Sequence, residues 1–325
     1  MTPLLYIPFK KFRSVGGPSS FMNNLKEYLD AVGYGYSEFV WKSRTIFFPM
    51  GYPLRYLKLL KLAGWKVIQR LDGVYYFSKH GQAFKKFNRL QEIIFKKYAD
   101  YVIFQSEHSK QQVFEMFGEI PKEKYSIIYN GANKNIFYPA KGKEELSGRI
   151  KFVTTGSFRN LDMIEPIVLA LDKLKADFNF ELHTVGPVTN PGLKCFFERD
   201  YIVNHGSVDL QSVSEILRDS DIFIYSHLNP PCPNSVIEAI SCGLPVVSFD
   251  SGSMKELCSF SKDLLAEVNN EVFQKYEDFD YNKLAEKIEL AVTAYNKYKQ
   301  ISMENAQNFP FEKCGNNYID IFRQI

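Results

Sequence analysis

The stretch that most limits what this chain can fold into covers residues 221–257, DIFIYSHLNPPCPNSVIEAISCGLPVVSFDSGSMKEL. Its first five residues form an apolar run of the length a buried parallel strand needs. A proline-rich loop, 229–234, follows. Asn234 stands where a helix N-cap belongs, and residues 235–242 read as a short helix. Gly243 suits the turn that ends that helix, Pro245 blocks its continuation, and 245–249 (PVVSF) reads as the next buried strand. The helix therefore starts at the carboxyl end of a parallel strand. Its first N–H groups, near Asn234 and Ser235, and its dipole favour a phosphate there. One carboxylate, Glu238, lies one turn inside, and a carboxylate can accept hydrogen bonds from two vicinal hydroxyls.

These residues resemble the donor-site motif of the family-four retaining glycosyltransferases, enzymes of the GT-B fold. That motif is a Glu, seven residues, a second Glu, then Ala, two residues and typically Cys-Gly-x-Pro-Val-Val. Glu238, Ala239, Cys242, Gly243, Pro245, Val246 and Val247 match it, whereas Pro230 stands in place of the first Glu. The resemblance covers nearly the whole chain, with its specific motifs in the second half. It implies an α/β fold of two Rossmann-like domains facing across a cleft. It also implies a nucleotide-sugar donor, UDP- or GDP-linked, with no prosthetic group and no metal. Glu238 would hold the ribose of that donor. The implied reaction moves a sugar, with retention, to a glycan or a polyprenyl- or other lipid-linked acceptor in cell-surface polysaccharide biosynthesis, such as O-antigen or capsule.

At 325 residues the chain has the length of two domains, each able to bury its own core. The expected division is an acceptor-side, membrane-proximal domain over 1–145, a donor domain over 146–305, and a C-terminal helix over 306–325 that crosses back to the first. No apolar run approaches the roughly 20 residues of a membrane span. The start of the sequence reads as a first strand rather than a signal peptide. Five cysteines without CxxC spacing indicate neither a disulfide framework nor a zinc site. These features point to the cytoplasm, with a peripheral place on the inner membrane face as the variant. Charge is uneven: residues 1–145 hold 23 Lys and Arg against 12 Asp and Glu, and the remainder 17 against 25. A basic half of this kind suits an anionic partner.

Along the first half, Gly16 and Gly17 lie between a first strand and its helix, where glycine allows close approach of a ligand. The resemblance makes both donor-side candidates. Residues 52–63 read as a helix. Residues 66–71 read as a strand delivering Asp72, and the same place borders the acceptor pocket of the resembled enzymes, so Arg70 and Asp72 become acceptor-side candidates, with His80 beside them. Residues 77–97 interleave lysines with phenylalanines, a pattern that fits an anionic membrane surface or a helix with a solvated basic face. Asn130, Gly131 and residues 137–139 resemble the close of the family's first domain, and 139–147 would form the connection.

In the second half, residues 151–155, Gly156 and the loop 157–160 repeat the strand, glycine, loop, helix pattern of a phosphate cradle. The resembled family places an Arg and a Lys there. Arg159 is the cation present, with Ser157 nearer the usual Arg position. By position, Gly186 and Val208 would frame the base. Asp72, Arg159 and Glu238 form the candidate catalytic set. Three other readings stay open at this point. One is a catalytically silent nucleotide-sugar sensor or partner subunit of the same fold. A second is a sugar-nucleotide epimerase. The third, a nucleic-acid binder, fits the basic half but not the acidic one, and no binding motif supports it.

Overall fold

The computed structural model describes residues 4–9, 17–140, 145–146, 148–268 and 279–325. Contacts divide the chain into two compact units, Met1–Asn130 with Phe311–Ile325, and Gly131–Pro310.

The first unit runs β1 (Leu4–Tyr6), α1 (Gly17–Ala31), β2 (Tyr36–Ser37), β3 (Ser43–Pro49), α2 (Leu54–Leu62), β4 (Lys66–Leu71), α3 (Phe77–His80), α4 (Phe84–Lys97), β5 (Tyr101–Phe104), α5 (Glu107–Phe117) and β6 (Tyr125–Ile127). Among the described residues these strands make one parallel sheet in the order β2-β1-β3-β4-β5-β6. Because β3, β4 and β5 are successive neighbours, right-handed crossovers put α2 and α4 on the same face. Leu57 of α2 and Ile94 of α4 meet there in one core with Ile46, Phe48 and Val67. The other face is covered by α1 and the C-terminal helix Phe311–Gln324, through Phe21, Leu25, Phe47, Tyr318 and Phe322.

The second unit runs β7 (Ile150–Thr155), α6 (Glu165–Leu174), β8 (Phe180–Val185), β9 (Ile202–Gly206), α7 (Leu210–Asp219), β10 (Ile222–Tyr225), α8 (Asn234–Ser241), β11 (Val246–Phe249), α9 (Met254–Leu257), β12 (Leu265–Ala266), α10 (Tyr281–Thr293) and α11 (Tyr295–Asn305). Its sheet is parallel in the order β12-β11-β10-β7-β8-β9. That is the dinucleotide-fold order, with the strand sequence reversing direction between β7 and β10. The apolar runs in β7, β10 and β11 give strands buried on both sides, as a helix-covered parallel sheet requires.

Residues 131–140 belong with the second unit. The Ala132 N–H donates to the Phe309 carbonyl at 2.9 Å, the Ser214 hydroxyl donates to the Ile136 carbonyl, and Arg218 lies over the Tyr138 ring at 4.3 Å. The connection expected at 139–147 thus begins inside that unit, and residues 141–144 and 147 lie outside the described residues. Among the described residues, no helix is long and apolar enough to cross a membrane.

Candidate functional site

Ligands of sheets wound this way bind beyond the carboxyl ends of the strands, where the order reverses. In the second unit that point lies between β7 and β10, which pair Phe152 with Ile222 and Val153 with Phe223. Two loops leave these adjacent strand ends, and Asp162 ties them together. The Ser226 hydroxyl donates to the Asp162 carbonyl at 2.7 Å, and the Leu228 N–H to its carboxylate at 3.2 Å. The His227 ring lies over Gly156, where a Cβ would stand 3.6 Å from it, and packs on Tyr225 at 4.5 Å. Nothing in the sequence pattern marked Asp162. Its role shows only when both loops are seen together.

Behind Gly156 comes Gly186, at the end of β8 and with φ +125°. A Cβ there would collide with the Gly156 carbonyl, so the two backbones touch with no side chain between them. Gly156 N–H donates to Val185 at 2.9 Å, and Phe158 N–H to Pro187 at 2.9 Å. The glycine loop is therefore held on its β8 side as well. Arg159 follows on an exposed side chain. Its backbone N–H faces the Met163 sulfur at 3.4 Å and its carbonyl accepts from Asn190 at 3.2 Å. Val208, in the turn between β9 and α7, is exposed as well.

From β10 the chain passes through a buried loop into α8. Asn229 sits there with φ +48°, its N–H bonded to the Ser251 hydroxyl at 3.0 Å. Pro230 packs directly on Gly252, and its carbonyl accepts from Ser253 N–H at 2.9 Å. The position where the resembled motif carries its first Glu is thus an enclosed proline. Asn234 is the first residue of α8 rather than its N-cap. Pro233 precedes the helix with φ −73° and ψ 121°, and no side chain caps it. The fixed φ of proline sets the turn into the helix, so no capping side chain is needed to begin it. Ser235 lies in the same first turn, whose N–H groups no preceding helical turn satisfies.

Glu238 is partly exposed one turn further on. Its carboxylate makes no hydrogen bond or ion pair with any described residue, and its desolvation pushes the carboxyl up to about 7. A carboxyl group left in this state is suited to hydrogen-bond donors brought by a ligand. The other end of α8 is fixed. Gly243 N–H bonds to Ile240 at 2.8 Å and Leu244 N–H to Ala239 at 3.1 Å, with Gly243 at φ +70°. This is a Schellman ending. Buried Lys299 of α11 donates to the Gly243 carbonyl at 2.9 Å, a further contact that the sequence did not signal.

A family model, glycosyl transferases group 1, matches residues 149–289. That match lies within the second unit. Both sheets together have the GT-B architecture of solved glycosyltransferases. Sucrose-phosphate synthase from Thermosynechococcus elongatus superposes over 100% of this chain and 99% of its own, with a TM-score of 0.77 at 16% identity. Anabaena HepE in complex with UDP-glucose does so over 99% of each chain, at TM-score 0.73 and 13% identity. WaaG, a glycosyltransferase involved in lipopolysaccharide biosynthesis, covers 98% of this chain and 97% of its own, at 0.66 and 13%. A probable sucrose-phosphate synthase of Thermosipho melanesiensis is 22% identical over 250 residues, or 70% of this chain. The chain spans 55% of the length of that relative.

Within the second unit, Gly156, Arg159, Gly186, Val208, Asn234 and Ser235 lie in loops or a first helical turn at the carboxyl side of the sheet, and Glu238 lies one turn further along α8. The candidates in the first unit fare differently. Arg70 is 1% exposed and belongs to the interior. It bonds to Asp72, to the Asn130 side chain at 2.8 Å and to the Tyr318 hydroxyl at 3.0 Å, and it lies 3.7 Å from the Phe21 ring centroid. Asn130 in turn donates to Gln105 at 3.0 Å. These residues fill the ends of β4, β5 and β6 with the protein's own polar groups, so Arg70 is enclosed by them. Asp72 shares that enclosure, and burial raises its carboxyl above the usual range despite the adjacent guanidinium. His80 is held in its own turn, with Nδ1 3.1 Å from the Tyr76 carbonyl and its ring against Tyr75 and Tyr76. Gly17 is the first residue of α1, and Gly16 lies outside the described residues. Among the described residues no group of three or more His, Cys, Asp or Glu could hold a metal ion.

Proposed function

We propose that the chain transfers a glycosyl group from a nucleoside-diphosphate sugar, with retention, to a glycan or lipid-linked acceptor in cell-surface polysaccharide assembly. The observation that carries this reading is Glu238, a carboxyl group without a partner among the described residues, one turn inside a helix that starts at the reversal point of a dinucleotide-type sheet. In this reading Glu238 accepts from both ribose hydroxyls, and the first-turn N–H groups at Asn234 and Ser235 take the diphosphate. Arg159 and the first-turn N–H groups of α8 stabilise the negative charge that grows on the leaving nucleotide. The UDP-glucose held by the Anabaena structure favours uridine over guanosine. Sugar recognition falls to His227 and to backbone groups, since the Pro230 side chain cannot hydrogen-bond a sugar hydroxyl and its carbonyl is taken by Ser253.

That same Pro230 favours a second reading, a nucleotide-sugar-binding subunit without turnover. The deciding experiment follows thermal unfolding against UDP, GDP, ADP and CMP, then tests hydrolysis and transfer with the matching sugar nucleotides. One nucleoside diphosphate should stand out, by roughly 2.7 kcal/mol at ~100 times its dissociation constant. Glu238→Ala should lose that stabilisation while keeping its fold. An unchanged nucleotide affinity in this variant would remove the donor-site assignment, and binding without turnover would favour the silent subunit. Acceptors should include a sugar phosphate, as the name of the synthase relatives suggests, alongside lipid-linked glycans.

A further inference from the structure

Helix α2 points an apolar stripe away from the protein. Leu57 faces the core, whereas Tyr56, Leu59 and Leu62 are 45%, 63% and 78% exposed. Leucines exposed to this degree on one helix face are unusual for a surface meant to stay in water. Helix α4 lies beside α2 on the same side of the sheet. Its Leu90 packs against Gly51, just ahead of α2, and Lys61 of α2 pairs with Asp100, just beyond α4, at 2.7 Å. On α4 the outward residues Phe87 and Leu90 are 48% and 39% exposed. The sequence suggested residues 77–97 alone for a surface contact. The structure turns Phe95 inward, keeps Phe87 outward, and adds the more exposed stripe of α2.

Charge decides what could cover this face. Residues 54–97 contain eleven Lys and Arg but only two acids, Asp72 and Glu92. Both acids are engaged, Asp72 with Arg70 and Glu92 with Lys96. Arg55 and Lys58 flank the α2 stripe, and Lys85, Lys86 and Arg89 flank that of α4, all exposed. A second copy of the chain would bring the same dense positive charge against itself, which opposes self-pairing. An anionic bilayer instead accepts apolar side chains at its interface and basic ones at its headgroups. We infer that the outer face of α2 and α4 is a docking surface for anionic phospholipid. This stands on the first unit alone and does not depend on the donor reading.

The test is flotation of the full-length protein with vesicles of phosphatidylcholine alone or mixed with phosphatidylglycerol, at low and high salt. The protein should float with the mixed vesicles only, and less as salt rises. Leu59→Ser with Leu62→Ser should weaken binding by roughly tenfold or more. Lys85→Gln with Lys86→Gln should weaken it roughly fivefold for each charge removed. Thermal unfolding of these variants should match the parent, because the altered side chains are exposed. No flotation at low salt, or equal flotation of the leucine variant, overturns the inference. So does a dimer by light scattering that the leucine variant converts to monomer, which would assign the face to a second copy. Nucleotide-induced stabilisation, measured in parallel, reports separately on the donor site.

Discussion

Among the described residues Glu238 has no bonding partner, and that makes its protonation open to test. A carboxyl near 7 against an ordinary 4.5 has a definite linkage sign. At pH values between these two, the native state keeps a proton that the unfolded chain has released, so stability falls as pH rises through the window and is flat above it. A nucleotide whose ribose donates to the carboxylate favours the charged form, so its affinity should rise with pH through about 5 to 7 and then level. Glu238→Gln should remove both dependences while keeping the side-chain volume. The check is nucleotide titration by calorimetry across that range for both proteins. A parent protein with pH-independent affinity would mean that Glu238 does not meet the ligand. Arg159 has an exposed side chain and is fixed through its backbone.

At the scale of elements, α8 is a short helix whose N-terminal end carries no side-chain cap and whose far end is clamped. A Cβ on Gly243 would run into the Met303 sulfur and Pro139, and φ +70° strains any other residue there. Gly243→Ala should cost about 1–3 kcal/mol from backbone strain and crowding. Adding Met303→Ala should return the steric part only, which a double-mutant cycle by urea unfolding would separate. Equal stability of Gly243→Ala and the parent would show that the cap does not hold α8. This glycine was legible because the helix stop, Cys-Gly-Leu-Pro, is a local chemical pattern. The start of the same helix was misplaced by one residue, since Asn234 and Pro233 compete for the cap and sequence alone favours the asparagine. Strand β3 was not legible at all. Its polar beginning, Ser-Arg-Thr, and its Pro49 argue against a central strand. The proline is tolerated because it ends the strand, and the next ladder bond runs from Met50 N–H to Arg70 at 2.7 Å. The loop partners Asp162 and Lys299 escaped for a different reason. Each acts across a large sequence separation on a backbone atom, which leaves no residue pattern to read.

For the molecule as a whole, the first unit is completed by the last residues of the chain. Sequence reading placed Arg70 and Asp72 at an acceptor site, because a strand followed by Asp-Gly is the same locally whether its end is open or filled. What fills it comes from far away: Tyr318 of the C-terminal helix, with its ring 5.1 Å from Phe21 and 5.6 Å from Phe47, and its hydroxyl on the Arg70 guanidinium. Tyr318→Phe removes one acceptor from a buried cation and should cost about 1.5–3 kcal/mol. Tyr318→Ala adds a cavity among Phe21, Phe47 and Phe322, and should cost about 3–5 kcal/mol. Both losses belong to the unit that α1, the first sheet and the C-terminal helix build together. Hydrogen exchange should therefore show faster opening in β1, β3 and β4, with the protection of β7, β10 and β11 and the nucleotide-induced protection of α8 unchanged. Equal loss of protection in both sheets would mean that the helix sustains more than the core it packs in. Loss confined to the helix itself would mean that Arg70 finds another acceptor and that the first unit folds without its last residues.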